Sequence, residues 1–424
     1  MSGIVQNNIL RSSGTIAVSA AGLNWVDTII TGSTATVEAG NGYWVNTTSN
    51  TCTITLPSSA EKGDQIVIID YARTWGTNKI IIDSNGLNYQ GNPDTFTVEY
   101  TTDGQSVNIV YSDATKGWIP LEDDVTALEA VYPETQRGIF AFGSDGSQNL
   151  GMSNLLGSNG VIGSDVTAVG TYRWKMAAAT YGNDKAIFGF GENASGQDVG
   201  VTNLISNSGV VASDVSAVGT ARDDIAATGY GLDKAIFAFG KTQNGNVTGI
   251  SNLVNNSGVV ASDVSAVGTA SSNKAAVGYD RDKALFAYGA TQDGTGLNQR
   301  NLVNTSGVIA SNVSGAGTAR NALAATKYGV GLGIFAYGAD TLNMSNLVNN
   351  QGVIGSDVTG VGTGRTRLAA SSYGVDKGAF AYGFTNQALS MKNLVSNQGV
   401  VATDVSGVGT GRGGLAAAGY SLSA

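Results

Sequence analysis

Histidine is missing from all 424 residues. That removes the commonest general base and the commonest metal-ligating side chain, and it rules out a Ser-His-Asp triad. There is one cysteine, Cys52, so no intramolecular disulfide can form. It lies in the strand-like run Thr51-Cys52-Thr53-Ile54-Thr55-Leu56, where a small buried hydrophobe is expected. Proline is scarce at 4, and charged residues make up 13%, against roughly 25% in an average soluble domain. No run of 18 apolar residues exists, so no transmembrane helix is expected. The first residues lack the basic and apolar stretches of a secretory signal, so a protein acting outside its producing cell would need another exit, of which release by lysis within an assembled particle is one. A net charge of −9 argues against nucleic acid or an anionic membrane as a partner.

Glycine, by contrast, is abundant at 60, and β-branched residues are plentiful. The composition is that of an all-β protein with many tight turns, not of a disordered chain.

An internal repeat dominates the sequence. The segment Ile236-Phe237-Ala238-Phe239-Gly240 has relatives ending at Gly143, Gly191, Gly289, Gly338 and Gly383, spaced 48, 49, 49, 49 and 45 residues apart. Asn-Leu recurs at Asn154, Asn203, Asn252, Asn301, Asn346 and Asn393. Ser/Thr-Asp-Val recurs at Asp165, Asp214, Asp263, Asp357 and Asp404, with Asn312 in the remaining copy. Gly-Thr recurs at Gly170, Gly219, Gly268, Gly317, Gly362 and Gly409. Each copy reads as four short strands separated by Gly- and Asn-rich turns, which fits a propeller blade. A β-solenoid is the alternative, but it needs capping repeats that the sequence does not show. The first copy lacks its own strand one, and the last is followed by a surplus one at Leu415-Ala416-Ala417-Ala418-Gly419-Tyr420. That permutation predicts a ring closed by the C-terminal strand.

Residues 1–120 differ. Alternating runs such as Gly42-Tyr43-Trp44-Val45, Gln65-Ile66-Val67-Ile68-Ile69-Asp70 and Val107-Asn108-Ile109-Val110-Tyr111 predict a small β-sandwich. Residues 121–136 read as a linker. Leu121, Val125, Leu128 and Val131 share one helical face there, either as a short oligomerising helix or as a single turn docked on its own domain.

Chemistry is thin. The Ser/Thr-Asp-Val aspartate admits a calcium reading, but one carboxylate per repeat, replaced once by Asn, favours a turn-capping role. No metal and no cofactor is expected. Pairs such as Asp184-Lys185 and Asp376-Lys377 mark tight turns between strands one and two, with the two side chains on opposite faces. Asp223-Asp224 and Glu122-Asp123-Asp124 are acidic neighbours, but nothing sets two carboxyls across a cleft for glycan cleavage. The chain is therefore read as not an enzyme.

Comparing the copies shows where recognition would sit. The connections at 144–152, 192–201, 241–250, 290–299, 339–344 and 384–391 vary in length and type. So do the residues after Gly-Thr, and both sets belong to one face of a four-stranded blade. Arg173, Trp174, Lys175, Arg222, Arg320, Arg365, Arg367 and Arg412 are the candidate binding residues on this face, Trp174 being the best single aromatic.

Two resemblances follow from these residues. Gly219-Thr220-Ala221-Arg222, then Ala226-Ala227, then 236–240 resembles the kelch repeat, with the double glycine reduced to one and the strand-four Trp absent. The resemblance covers roughly 137–424. The wording of 42–72, GYWVNTTSNTCTITLPSSAEKGDQIVIIDYA, is similar to a module of bacteriophage tail fibres. The repeat wording GVVASDVSAVGTAR at 209–222 also resembles repeats in phage structural proteins. Together they imply an all-β protein with an N-terminal β-sandwich followed by a six-bladed kelch-like β-propeller. They imply a tail fibre or receptor-binding protein on the virion, at the tail or capsid surface. Its expected partners are other virion proteins, through 1–120, and a host-surface glycan or protein; a homotrimer is the implied oligomer. A purely structural virion part, such as a head decoration or tail-nozzle propeller, is the alternative.

Overall fold

A computed structural model describes residues 23–95, 98–121, 136–167, 169–216, 218–265 and 267–422. The expected linker helix falls at 122–135, outside the described residues. The protein is all-β, and it divides into two compact units, 1–131 and 132–424.

Among the described residues the first unit has nine strands: β1 (Asn24–Trp25), β2 (Thr34–Thr36), β3 (Asn41–Val45), β4 (Cys52–Thr55), β5 (Gln65–Asp70), β6 (Ile80–Asp83), β7 (Val98–Tyr100), β8 (Ser106–Tyr111) and β9 (Trp118–Pro120). They form two sheets, ordered β1-β3-β5-β8-β9 and β2-β4-β6-β7. Side chains alternate inward along each strand, so both sheets contribute to one core containing Val45, Cys52, Ile54, Ile68, Trp75, Ile80 and Trp118. Cys52 is fully buried there, and desolvation pushes its thiol up to about 11. One feature departs from a conventional antiparallel sandwich. β1, β3 and β5 pair in parallel, as do β2, β4 and β6. Parallel neighbours need a crossover, and here each crossover is a strand of the opposite sheet.

Among the described residues the second unit contains six repeat sheets in chain order, besides two two-stranded pairs, Arg173–Trp174 with Glu192–Asn193 and Arg222–Asp223 with Lys241–Thr242. Five have three strands each: Ala177–Tyr181 with Lys185–Gly189 and Thr202–Ile205, then the same pattern from Ala226–Tyr230, Ala275–Tyr279, Ala324–Tyr328 and Ala369–Tyr373. Fourth strands shrink to isolated antiparallel bridges, such as Thr202↔Val215 and Ile205↔Val211. The remaining sheet joins the two ends of the unit. Arg137–Ala141 pairs with Met152–Leu156 on one side and with Ala416–Tyr420 on the other, in the register Ile139↔Ala418. The first strands of successive sheets lie side by side, and Ala416–Tyr420 lies beside both Ala369–Tyr373 and Ala177–Tyr181.

Between sheets the core is aromatic. Phe142 meets Phe188, Phe190 meets Phe237, Phe239 meets Phe286, Tyr288 meets Phe335, Tyr337 meets Phe380, and Tyr382 meets Phe140, all with centroids 5.2–6.0 Å apart. The first aromatic of each pair sits at positive φ, between 60° and 66°, just before the repeat glycine. The glycine itself is required: at Gly240 (φ +106°) an added Cβ would lie 2.7 Å from the Asp223 carbonyl.

The Ser/Thr-Asp-Val aspartates tie neighbouring sheets together. Each accepts from the Asn of its own repeat and from the Thr of the preceding Gly-Thr: Asp214 from Asn203 and Thr171, Asp263 from Asn252 and Thr220, Asp357 from Asn346 and Thr318, Asp404 from Asn393 and Thr363. Asp165 takes its Thr from the far end of the chain, Thr410, at 2.8 Å. Where Asn312 replaces aspartate, its amide donates to Thr269 instead. The bonds run to backbone and hydroxyl groups between repeats, in place of the turn cap read from sequence. The Asp-Lys pairs also differ from expectation. Asp184 and Lys185 meet at 2.6 Å, because Asp184 lies in the turn and is not held to the strand's alternation.

Candidate functional site

The two variable stretches come together. Trp174 pairs with Glu192, Asp223 with Lys241, Ser272 with Ala290, Thr366 with Phe384 and Ser144 with Gly413, so each post-Gly-Thr segment lies against a post-strand-two loop. Lys175, Asp224, Asn273, Ala322, Arg367 and Gly414 occupy equivalent positions, all left-handed with φ between 47° and 61°. Their backbones hydrogen-bond in succession: Asn273 N–H to Asp224, Ala322 to Asn273, Arg367 to Ala322, Gly414 to Arg367 and Lys175 to Gly414, at 2.7–3.0 Å. Residues far apart in sequence are thereby gathered at one place.

Five of the candidate binding residues are not available for recognition. Arg173, Arg222, Arg320, Arg365 and Arg412 are between 0% and 2% exposed. Each guanidinium lies over an aromatic ring of the preceding repeat, at 4.3–4.7 Å from the centroid. Each Nε donates to a carbonyl of the following segment: Phe190, Phe239, Tyr337, Tyr382 and Phe142 respectively. In Arg173, Arg222, Arg320 and Arg412 the Nη2 donates to the repeat Asn as well. A planar donor fork saturated this way binds sheets together and has nothing left for a ligand. Burial pushes Arg173 and Arg222 down to about 10, which leaves both charged at neutral pH.

Trp174, Lys175 and Arg367 remain partly exposed, and the structure brings them together. The Lys175 ammonium lies 4.4 Å over the Trp174 ring, and the Arg367 guanidinium lies 5.4 Å from it. Acidic residues that the sequence reading did not count among its binding candidates complete the cluster. Trp174 Nε1 donates to Glu192 Oε1 at 3.0 Å; Lys175 Nζ donates to Glu192 Oε2 at 2.8 Å and to Asp223 Oδ2 at 2.9 Å. Arg367 Nη1 donates to Asp224 Oδ1 at 2.8 Å across 143 residues of sequence. Burial pulls the Lys175 pKa down, but the bonds to Glu192 and Asp223 outweigh it and hold it above the ordinary value. The result is an indole held among fixed charges of both signs.

Glu192, Asp223 and Asp224 had one signal in sequence. They stand at positions that vary between repeats, as Trp174 and Lys175 do, while the arginines recur in five of the six copies. No protein-family model matches this chain, and no curated protein does either.

Proposed function

We propose that the chain is a non-enzymatic bacteriophage virion protein of the tail-fibre or receptor-binding kind. In this reading residues 137–424 are a six-bladed kelch-like β-propeller closed by Ala416–Tyr420, and the propeller recognises the host surface. Closure is supported by the pairing of Ala416–Tyr420 with Arg137–Ala141 and by the Thr410–Asp165 bond between the two ends of the unit. The N-terminal unit, an attachment domain, binds other virion proteins, and a homotrimer is the expected assembly. No nucleic acid and no cofactor takes part.

The observation that carries the recognition reading is the cluster of Trp174, Lys175, Arg367 and Asp224. The repeats vary there, and Trp174, Lys175 and Arg367 stay partly open while the buried Asp224 anchors Arg367. Labelling purified phage particles with an antibody to the chain tests the placement. Label at the distal tail supports the proposal. Label confined to the head or tail nozzle favours a purely structural virion part, and particles without the chain refute both.

A further inference from the structure

Glu192, Asp198 and Asp223 each bring a carboxylate oxygen within 4.8 Å of the others. The first two come from one loop, bridged to each other; the third comes from the next repeat. Their hydrogen bonds do not satisfy them. Asp223 is 1% exposed, yet its Oδ1 has no hydrogen-bond partner, and the buried Oδ2 of Asp198 has none either. A carboxylate oxygen removed from water without a donor is costly. Lys175 bonds Glu192 and Asp223, while Asp224 is taken up by Arg367. Lys241, the cross-strand partner of Asp223, adds a weaker pull on Asp198. Burial, then Asp223 and Glu192, push Asp198 up to about 6, as expected where carboxylates outnumber nearby cations.

The fold does not need these acids. At the equivalent positions four of the other five repeats carry Ser144, Asn149 and Trp174; Lys241, Val247 and Ser272; Ala290, Gly296 and Asn321; and Phe384, Ala388 and Gly413. Only the repeat at Glu192 has carboxylates at all three.

We propose that Glu192, Asp198 and Asp223 bind a hard divalent cation, Ca²⁺ in preference to Mg²⁺, beside the Trp174 cluster. All three ligands are oxygens, as such ions require. Mg²⁺ keeps several of its waters and usually takes one or two protein carboxylates, whereas Ca²⁺ accepts more of them in a flexible geometry. Here three carboxylates converge, their oxygens all within 4.8 Å of one another. The site goes beyond the recognition reading and stands without it.

The test is Tb³⁺ luminescence, sensitised through tryptophan, in the intact chain. Trp174 is suited to this, since its Nε1 is bonded to Glu192. We expect saturable binding of one Tb³⁺ per chain, displaced by Ca²⁺ more readily than by Mg²⁺. Affinity should fall at least tenfold in Asp198→Asn and in Asp223→Asn. Both variants place asparagine where a sibling repeat already has it, at Asn149 and Asn321, so both should fold, as thermal unfolding will check. Absence of saturable binding, or equal affinity in wild type and both variants, would overturn the proposal.

Discussion

Lys274 Nζ donates to the Tyr288 carbonyl at 3.0 Å, the kind of carbonyl that an arginine Nε reaches in five other repeats. It also lies 4.8 Å over the Phe239 ring. The arginine position in this repeat is Ser271, and a lysine three residues later restores the cation from a different backbone site. The repair is partial. An ammonium lacks the fork that reaches the repeat Asn, and Asn301 Oδ1 is buried without a partner.

Restoring the common pattern should therefore stabilise the protein. Ser271→Arg combined with Lys274→Leu, the residue found at Leu323, Leu368 and Leu415, regains the bond to Asn301. A gain of about 1–2 kcal/mol is expected in denaturant unfolding, in line with charge-assisted hydrogen bonds and consensus substitutions. Lys274→Leu alone removes the cation over Phe239 and should destabilise.

Lys274 also gives stability a pH dependence. Burial pushes its pKa down from 10.5 to about 8. Between these values the unfolded chain binds more protons than the native one, so this residue's contribution to stability rises with pH from about 8 to 10.5 and is flat below. Unfolding midpoints across that window should show the rise in wild type and lose it in the double variant.

The Asp165–Thr410 bond joins the two ends of the repeat unit. Asp165→Ala should cost about 1–3 kcal/mol, and Asp165→Asn much less, since Asn312 keeps the same bridge with donor and acceptor exchanged. Burial raises the pKa of Asp165, but Asn154 and Thr410 hold it below the ordinary value, and Asp214, Asp263, Asp357 and Asp404 are lowered likewise. Their folded pKa values lie beneath the unfolded ones. The stability they give is present above the carboxylate range and lost as pH falls below about 3.8. Acid titration of unfolding should show that loss.

Gly240→Ala sets a Cβ against the Asp223 carbonyl at a φ that side chains rarely adopt. About 1–3 kcal/mol of destabilisation is expected, measured by thermal unfolding.

Much of the fold was legible in the sequence because repetition is a record of shared geometry. The surplus strand at 415–420 and the missing one before Arg137 gave away their pairing. The sheet directions of the N-terminal unit were not legible, since period-two alternation reports burial and is blind to strand polarity. The site was misread for a related reason. Arg173, Arg222, Arg320, Arg365 and Arg412 recur because the five repeats that carry them hold them inside, whereas Glu192, Asp198 and Asp223 come together at a single place that only the folded chain assembles.

Binding of the labelled intact chain to cells of the infected host, wild type against Trp174→Ala, tests the central reading most directly. The account predicts saturable binding by wild type and a loss of at least tenfold in the variant, with unchanged thermal unfolding. Equal binding by both proteins, or none by a folded wild type, would contradict it.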